Sequence, residues 1–162
     1  MADGIAVTVD NSRADAVLRG LSTSLRNLRP ALDDTAKELT RRIKYRFDFK
    51  RDPDNRRWAP WAKSTAEANK GKPGNKLMLR TRALRNQSKF VVSSNLSIQA
   101  VLGTSYGIFH EQPGGGSGIG RKKLPRRAFL LSNAGRGNGL GKSDEAYLLR
   151  AIDKQLSKAA GD

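Results

Sequence analysis

His110 is the only histidine of this chain and is followed directly by Glu111. An imidazole beside a carboxylate suits general-base chemistry, but the sequence supplies no evident nucleophile or transition-state stabiliser for it to serve. A hydrogen-bonded structural role is the plainer expectation. The surrounding tract, residues 103–132, reads GTSYGIFHEQPGGGSGIGRKKLPRRAFLLS and gathers the densest glycine cluster with five cations, Arg121, Lys122, Lys123, Arg126 and Arg127. Such a run is either a solvated loop or a contact to phosphates or to an acidic neighbouring subunit.

Two further patterns invite chemistry and fail on spacing. Gly137 to Ser143 ends in Gly-Lys-Ser, as a phosphate-binding loop does, but the required first glycine position is occupied by Arg136. Asp52 and Asp54 hint at a calcium loop, yet Arg56 and Arg57 follow and no late bidentate Glu appears. No catalytic, cofactor-binding or metal-binding residue is expected, and the chain is not expected to be an enzyme.

The elements that position these residues follow from periodicity. Residues 4–9, GIAVTV, suit a short strand, and Ser12 with Asp15 marks a helix start. Val17, Leu18, Leu21, Leu25 and Leu28 form one apolar stripe that Pro30 interrupts, which predicts two helices divided near Arg29. Leu32, Ala36, Leu39, Ile43 and Phe47 then recur at helical spacing, acids early and cations late, as the helix dipole favours. The other face carries Arg41, Arg42, Lys44 and Arg46, read as a solvated basic face.

From residue 50 to 76 the chain is polar and reads as a long loop. It holds both tryptophans, Trp58 and Trp61, which could anchor the loop on the core, bury in a subunit interface, or stack on bases. Leu77, Leu79, Ala83 and Leu84 suggest a short helix. Residues 89–93 and 97–103 read as a hairpin through Ser94 and Asn95. Residues 128–132, AFLLS, read as a further strand of the same antiparallel sheet. A second loop near 112–125 and a glycine-rich one at 134–141 precede a last helix, capped by Ser143 with Asp144 and Glu145 in its first turn and Leu148, Ile152 and Leu156 on one face. The fold class expected is α+β, a small antiparallel β-sheet packed against long N-terminal helices and a C-terminal helix, in a single domain over residues 1–162.

The 162 residues carry a formal net charge of +16, and residues 41–90 alone hold 16 Lys or Arg against four Asp or Glu. An acidic partner, protein or nucleic acid, would explain that excess. There is no cysteine, which excludes disulfides, thiolate metal sites and cysteine nucleophiles. No secretory signal or apolar run long enough to span a bilayer is evident, so a soluble, intracellular chain is expected.

The order of motifs adds a resemblance. Arg46-Phe47 closing a helix, Trp58-Ala59-Pro60 before Ser64-Thr65, the run Leu79 to Asn86, Gly103-Thr104 before Tyr106 to Glu111, and Leu124-Pro125-Arg126-Arg127-Ala128-Phe129-Leu130 together resemble the phage virion morphogenesis family, the tail completion proteins of tailed bacteriophages, Mu-type phages included. The likeness spans roughly residues 38–155 by the positions of those motifs. It implies a non-enzymatic virion protein that completes or terminates the tail and helps join it to the head, as a ring at the neck expected to be a hexamer. Its implied partners are its own copies, tail tube or sheath proteins and head-tail connector proteins, with genomic DNA in the channel as a further contact and no membrane. Its implied location is the virion, with assembly in the host cytoplasm. On that basis the interface residues expected are Trp58, Trp61, Tyr106, His110, Arg121, Lys122, Lys123, Arg126, Arg127 and Phe129. The alternative from another class is a small basic DNA- or RNA-binding protein.

Overall fold

The computed structural model describes residues 12–72, 76–79, 81–112, 125–132 and 139–160. Its axis is α2, Arg29–Phe49, which follows α1, Ser12–Arg26, after a two-residue break. Proline in the first turn of α2 starts the new helix where its missing N–H costs nothing. The break is held from three sides. Leu28 N–H donates to the Asn95 carbonyl (3.0 Å), the Gln155 side chain accepts from Ala31 N–H (3.0 Å), and its amide donates to the Asn27 carbonyl (2.6 Å).

The apolar stripe of α2 is buried along its whole length, with Leu39, Ile43 and Phe47 fully shielded. Around it close Trp58, Leu77, Leu84, Phe90, Phe129 and Leu130. The hairpin lies on this core: β1, Lys89–Ser94, pairs antiparallel with β2, Ser97–Val101, placing Phe90 opposite Ala100 and Val92 opposite Ile98. Thr40 Oγ1 accepts from Phe90 N–H (3.0 Å) and fixes the sheet on the helix. On the other side α6, Lys142–Ala160, packs across α1 and α2.

Several expectations need correction. The α1 stripe is only partly covered, since Leu18 is 63% and Leu25 53% exposed. The helix expected at 77–85 is shorter and later, α4 at Ala83–Gln87, because Met78 and Arg82 hold left-handed backbone (φ 59° and 58°). The tract 50–76 contains a helix, α3, Lys63–Ala68. At α6 the helix starts at Lys142, so Ser143 lies inside its first turn and the Gly141 carbonyl receives the Asp144 and Glu145 N–H groups. Gly141 is glycine for a packing reason: a Cβ there would stand 2.5 Å from the Pro53 carbonyl oxygen. The Gly-Lys-Ser that resembled a phosphate loop is thus a helix start squeezed past a neighbouring loop. The strand expected at 4–9 lies outside the described residues.

The largest correction is at 128–132. This segment joins no sheet; β1 and β2 are the only sheet among the described residues, and Ser132 makes one isolated bridge to Gly139. The segment is nonetheless deeply buried, so its backbone groups need partners from elsewhere.

Candidate assembly interface

Those partners are side chains. After a 3-10 turn, Ser105–Gly107, the single-turn helix α5, Ile108–Glu111, ends with Glu111 turned inward and 4% exposed. One carboxylate oxygen accepts from Phe129 N–H (2.6 Å) and Leu130 N–H (2.7 Å), and the other from Leu131 N–H (3.4 Å). The segment's carbonyls are met in turn. Trp58 Nε1 donates to the Ala128 carbonyl, Arg46 Nη1 to that of Phe129 (both 2.8 Å), and Arg126 Nη2 to that of Leu131 (3.1 Å). A single carboxylate and three donors do here what strand neighbours would do in a sheet.

Burial pushes the Glu111 carboxyl above its ordinary range, against the pull of the three N–H groups and of the Arg126 charge. Arg127 also belongs to the interior. It is 5% exposed and donates from Nε to the Ala59 carbonyl and from Nη2 to that of Pro60 (both 2.8 Å). Arg126 donates its Nε–H to the Glu111 carbonyl (2.6 Å).

A second buried network ties α2 to α6. Asp144, fully buried, receives Arg46 on one oxygen and Arg42 Nη1 on the other (3.0 Å). Arg42 also donates to Glu38 Oε1 (2.8 Å), which is shared with Arg41. The paired guanidinium groups hold the Glu38 carboxyl down at about 2, the Arg41 hydrogen bond being the largest cause. The cleft of about 400 Å³ that these residues line therefore offers no unpaired arginine: Arg41, Arg42 and Arg46 face carboxylates, and Arg51 donates to Asn55. Arg42 and Arg46, read as part of a solvated face, are structural.

Among the described residues His110 holds its neighbours through its backbone rather than its ring. Its carbonyl accepts from Arg127 N–H (3.0 Å), but among the described residues its imidazole Nδ1 is buried with no partner. Burial, with the Arg127 charge as a lesser cause, lowers its pKa. The turn at Tyr106 is secured instead by Gly107, where a Cβ would stand 2.8 Å from Leu84 Cδ2. Among the described residues no group of three His, Cys, Asp or Glu could hold a metal ion.

What remains outward is aromatic. Tyr45 and Phe49 stack at the end of α2, ring centroids 4.2 Å apart, and are 51% and 57% exposed. Beside Phe49 opens a groove of about 650 Å³, walled by Trp58, Trp61 and Leu77 and rimmed by the exposed Lys50 and Arg57. Trp58 is a wall through its edge only, being packed against Phe47 at 83° between ring planes and buried to 6%. Trp61 is partly buried against the core.

Of the expected interface residues, the structure places Trp61 in this groove and leaves Tyr106 44% exposed on the surface. Trp58, Arg127 and Phe129 are interior, Phe129 being fully buried, and make the intramolecular contacts described above. Arg121, Lys122 and Lys123 lie outside the described residues. Sequence reasoning missed Glu111, Asp144, Tyr45 and Phe49. Only the last two had a local signal, an i, i+4 aromatic pair set off the core stripe of α2.

A family model described as the phage virion morphogenesis family matches residues 9–157. No curated protein and no solved structure matches the chain.

Proposed function

Since the chain belongs to the phage virion morphogenesis family, we propose that it is a non-enzymatic structural protein that completes the phage tail and helps join it to the head. In this reading its copies close into a ring at the neck, expected to be a hexamer. One face meets the last layer of tail tube or sheath and stops growth; the other meets the head-tail connector. The family match over residues 9–157 carries the reading.

The surface supports it. A subunit that works alone has little use for Leu18 and Leu25 turned outward on α1, whereas a ring subunit covers such residues with its neighbours, and the aromatic pair Tyr45 and Phe49 offers a further contact to an adjoining layer.

Electron microscopy of particles assembled without this protein tests the reading. Tails of wrong length or tails separated from heads are expected; normal tails joined to heads overturn it. The charge of +16 favours a second reading, nucleic-acid binding. DNA affinity measured across salt separates the two, since a dedicated binder loses affinity with a slope of about 0.9 per phosphate neutralised. A shallow slope is expected of a subunit whose free cations face acidic protein rather than phosphates.

A further inference from the structure

The aromatic groove combines three properties that point to one kind of occupant. Its walls are apolar: Phe49, Trp61 and Leu77, with the edge of Trp58. Its rim is cationic and unneutralised, since neither Lys50 nor Arg57 meets a carboxylate among the described residues. Two acids close by in the chain are turned to other groups: Asp52 Oδ1 accepts from Asp54 N–H (3.0 Å) and Arg56 N–H (2.8 Å), and Asp54 Oδ2 accepts from Ser132. Its volume, about 650 Å³, falls within the ~300–1,000 Å³ of clefts that hold a few chemical groups, which suits a segment of chain rather than a globular face.

We infer that this groove docks a short segment of a different protein, one that inserts apolar side chains between Phe49 and Trp61 and sets carboxylates against Lys50 and Arg57. The aromatic walls provide the desolvated anchor and the rim provides steering and register. A nucleic acid fits less well. The Trp58 indole N–H already donates to the Ala128 carbonyl and its ring is packed inward, so a single tryptophan is left for stacking. A second copy seated groove to groove fits less well too, because it would set Lys50 and Arg57 against their own like charges. The inference rests on the assembly reading only in taking the neighbour to be a virion protein.

The test needs no particles, so its failure leaves the assembly reading to microscopy. Trp58 and Trp61 are the only tryptophans of the chain and both line the groove, so intrinsic fluorescence reports occupancy directly. The full chain is titrated with a short acetylated peptide alternating Leu or Phe with Glu, with the same peptide carrying Lys for Glu, and with a single-stranded oligonucleotide. The Glu peptide is expected to shift tryptophan emission saturably. Arg57→Glu, an exposed change that leaves the core intact, is expected to weaken it about tenfold and to reduce its salt dependence. Trp61→Ala is expected to abolish binding while circular dichroism stays native. The inference is overturned by no shift with the Glu peptide, by equal binding of the Lys peptide, or by displacement of the peptide by the oligonucleotide. It is equally overturned by a self-association that shifts tryptophan emission and is broken by the Glu peptide, which would place a second copy in the groove.

Discussion

The surroundings of the buried segment 128–132 and the groove beside the outer end of α2 draw on the same residue types, cations and tryptophan among apolar side chains, and their polar groups meet opposite fates. Around the segment, Arg46, Arg126, Arg127 and Trp58 each donate to a backbone carbonyl of the same chain. At the end of α2, Lys50 and Arg57 meet no carboxylate among the described residues, and Tyr45 and Phe49 face outward. Trp58 and Trp61 stand only three positions apart and fall on either side of this divide. The difference teaches that the strong positive charge of the chain is not one surface property. Part of it is structural, and only the remainder is available to a partner.

Asp144→Ala should have the largest effect on the inner region. It strands Arg46 in the interior, and breaking a buried ion pair in this way costs about 3–5 kcal/mol. Chemical denaturation measures it; a loss under about 1 kcal/mol would mean that Arg46 is not held as described.

Glu111→Ala comes next. It removes the acceptor from the buried Phe129 and Leu130 N–H groups and from the part-buried Leu131 N–H, and because it also relieves the burial of the carboxyl the net loss is expected to be about 1–3 kcal/mol. Glu111→Gln keeps one acceptor oxygen and should cost clearly less. The pH dependence has a definite sign. Because the folded-state pKa of Glu111 is raised, its contribution is fully present below its unfolded value of 4.5 and is lost as pH rises through the folded value. Melting temperatures of wild type and Glu111→Gln should therefore diverge above pH 4.5 and converge below it.

Phe49→Ser tests the outer region. At 57% exposure it should change stability by only about 0.5 kcal/mol, yet the variant should fail to restore joined particles to a phage lacking the protein. Equal loss of stability and of assembly would erase the contrast between the regions.

The smallest expected effect is at Glu38, whose carboxyl is depressed to about 2 by Arg41 and Arg42. Its contribution is present above pH 4.5 and is lost as pH falls toward 2, the opposite sense to Glu111. Glu38→Gln should flatten the acid side of the stability profile slightly, since Arg41 is largely solvent-exposed and the pair is screened.

Much of the scaffold was legible beforehand, and the illegible parts share a cause. The stripe of α2, the break at Pro30, the hairpin turn and the apolar face of α6 are all local patterns, where a side chain's fate follows from neighbours three or four positions away in a helix or two in a strand. The apolar run at 128–132 misled because a buried strand and a buried irregular segment present the same composition. What separates them is the source of the backbone partners, and Glu111 lies 18 residues from Phe129 in the chain. The same holds for Arg46, whose place on a charged helix face pointed to solvent until Asp144, 98 residues away, met it.

The amino-acid sequence by itself determined the α+β class, the helical axis, the hairpin and membership in a virion morphogenesis family, because periodic burial and ordered motifs are written in consecutive residues. The tertiary structure alone decided which charges are structural and which are left for a partner. A buried charge is tolerated only where a distant residue satisfies it, and that meeting is made by folding rather than by spacing.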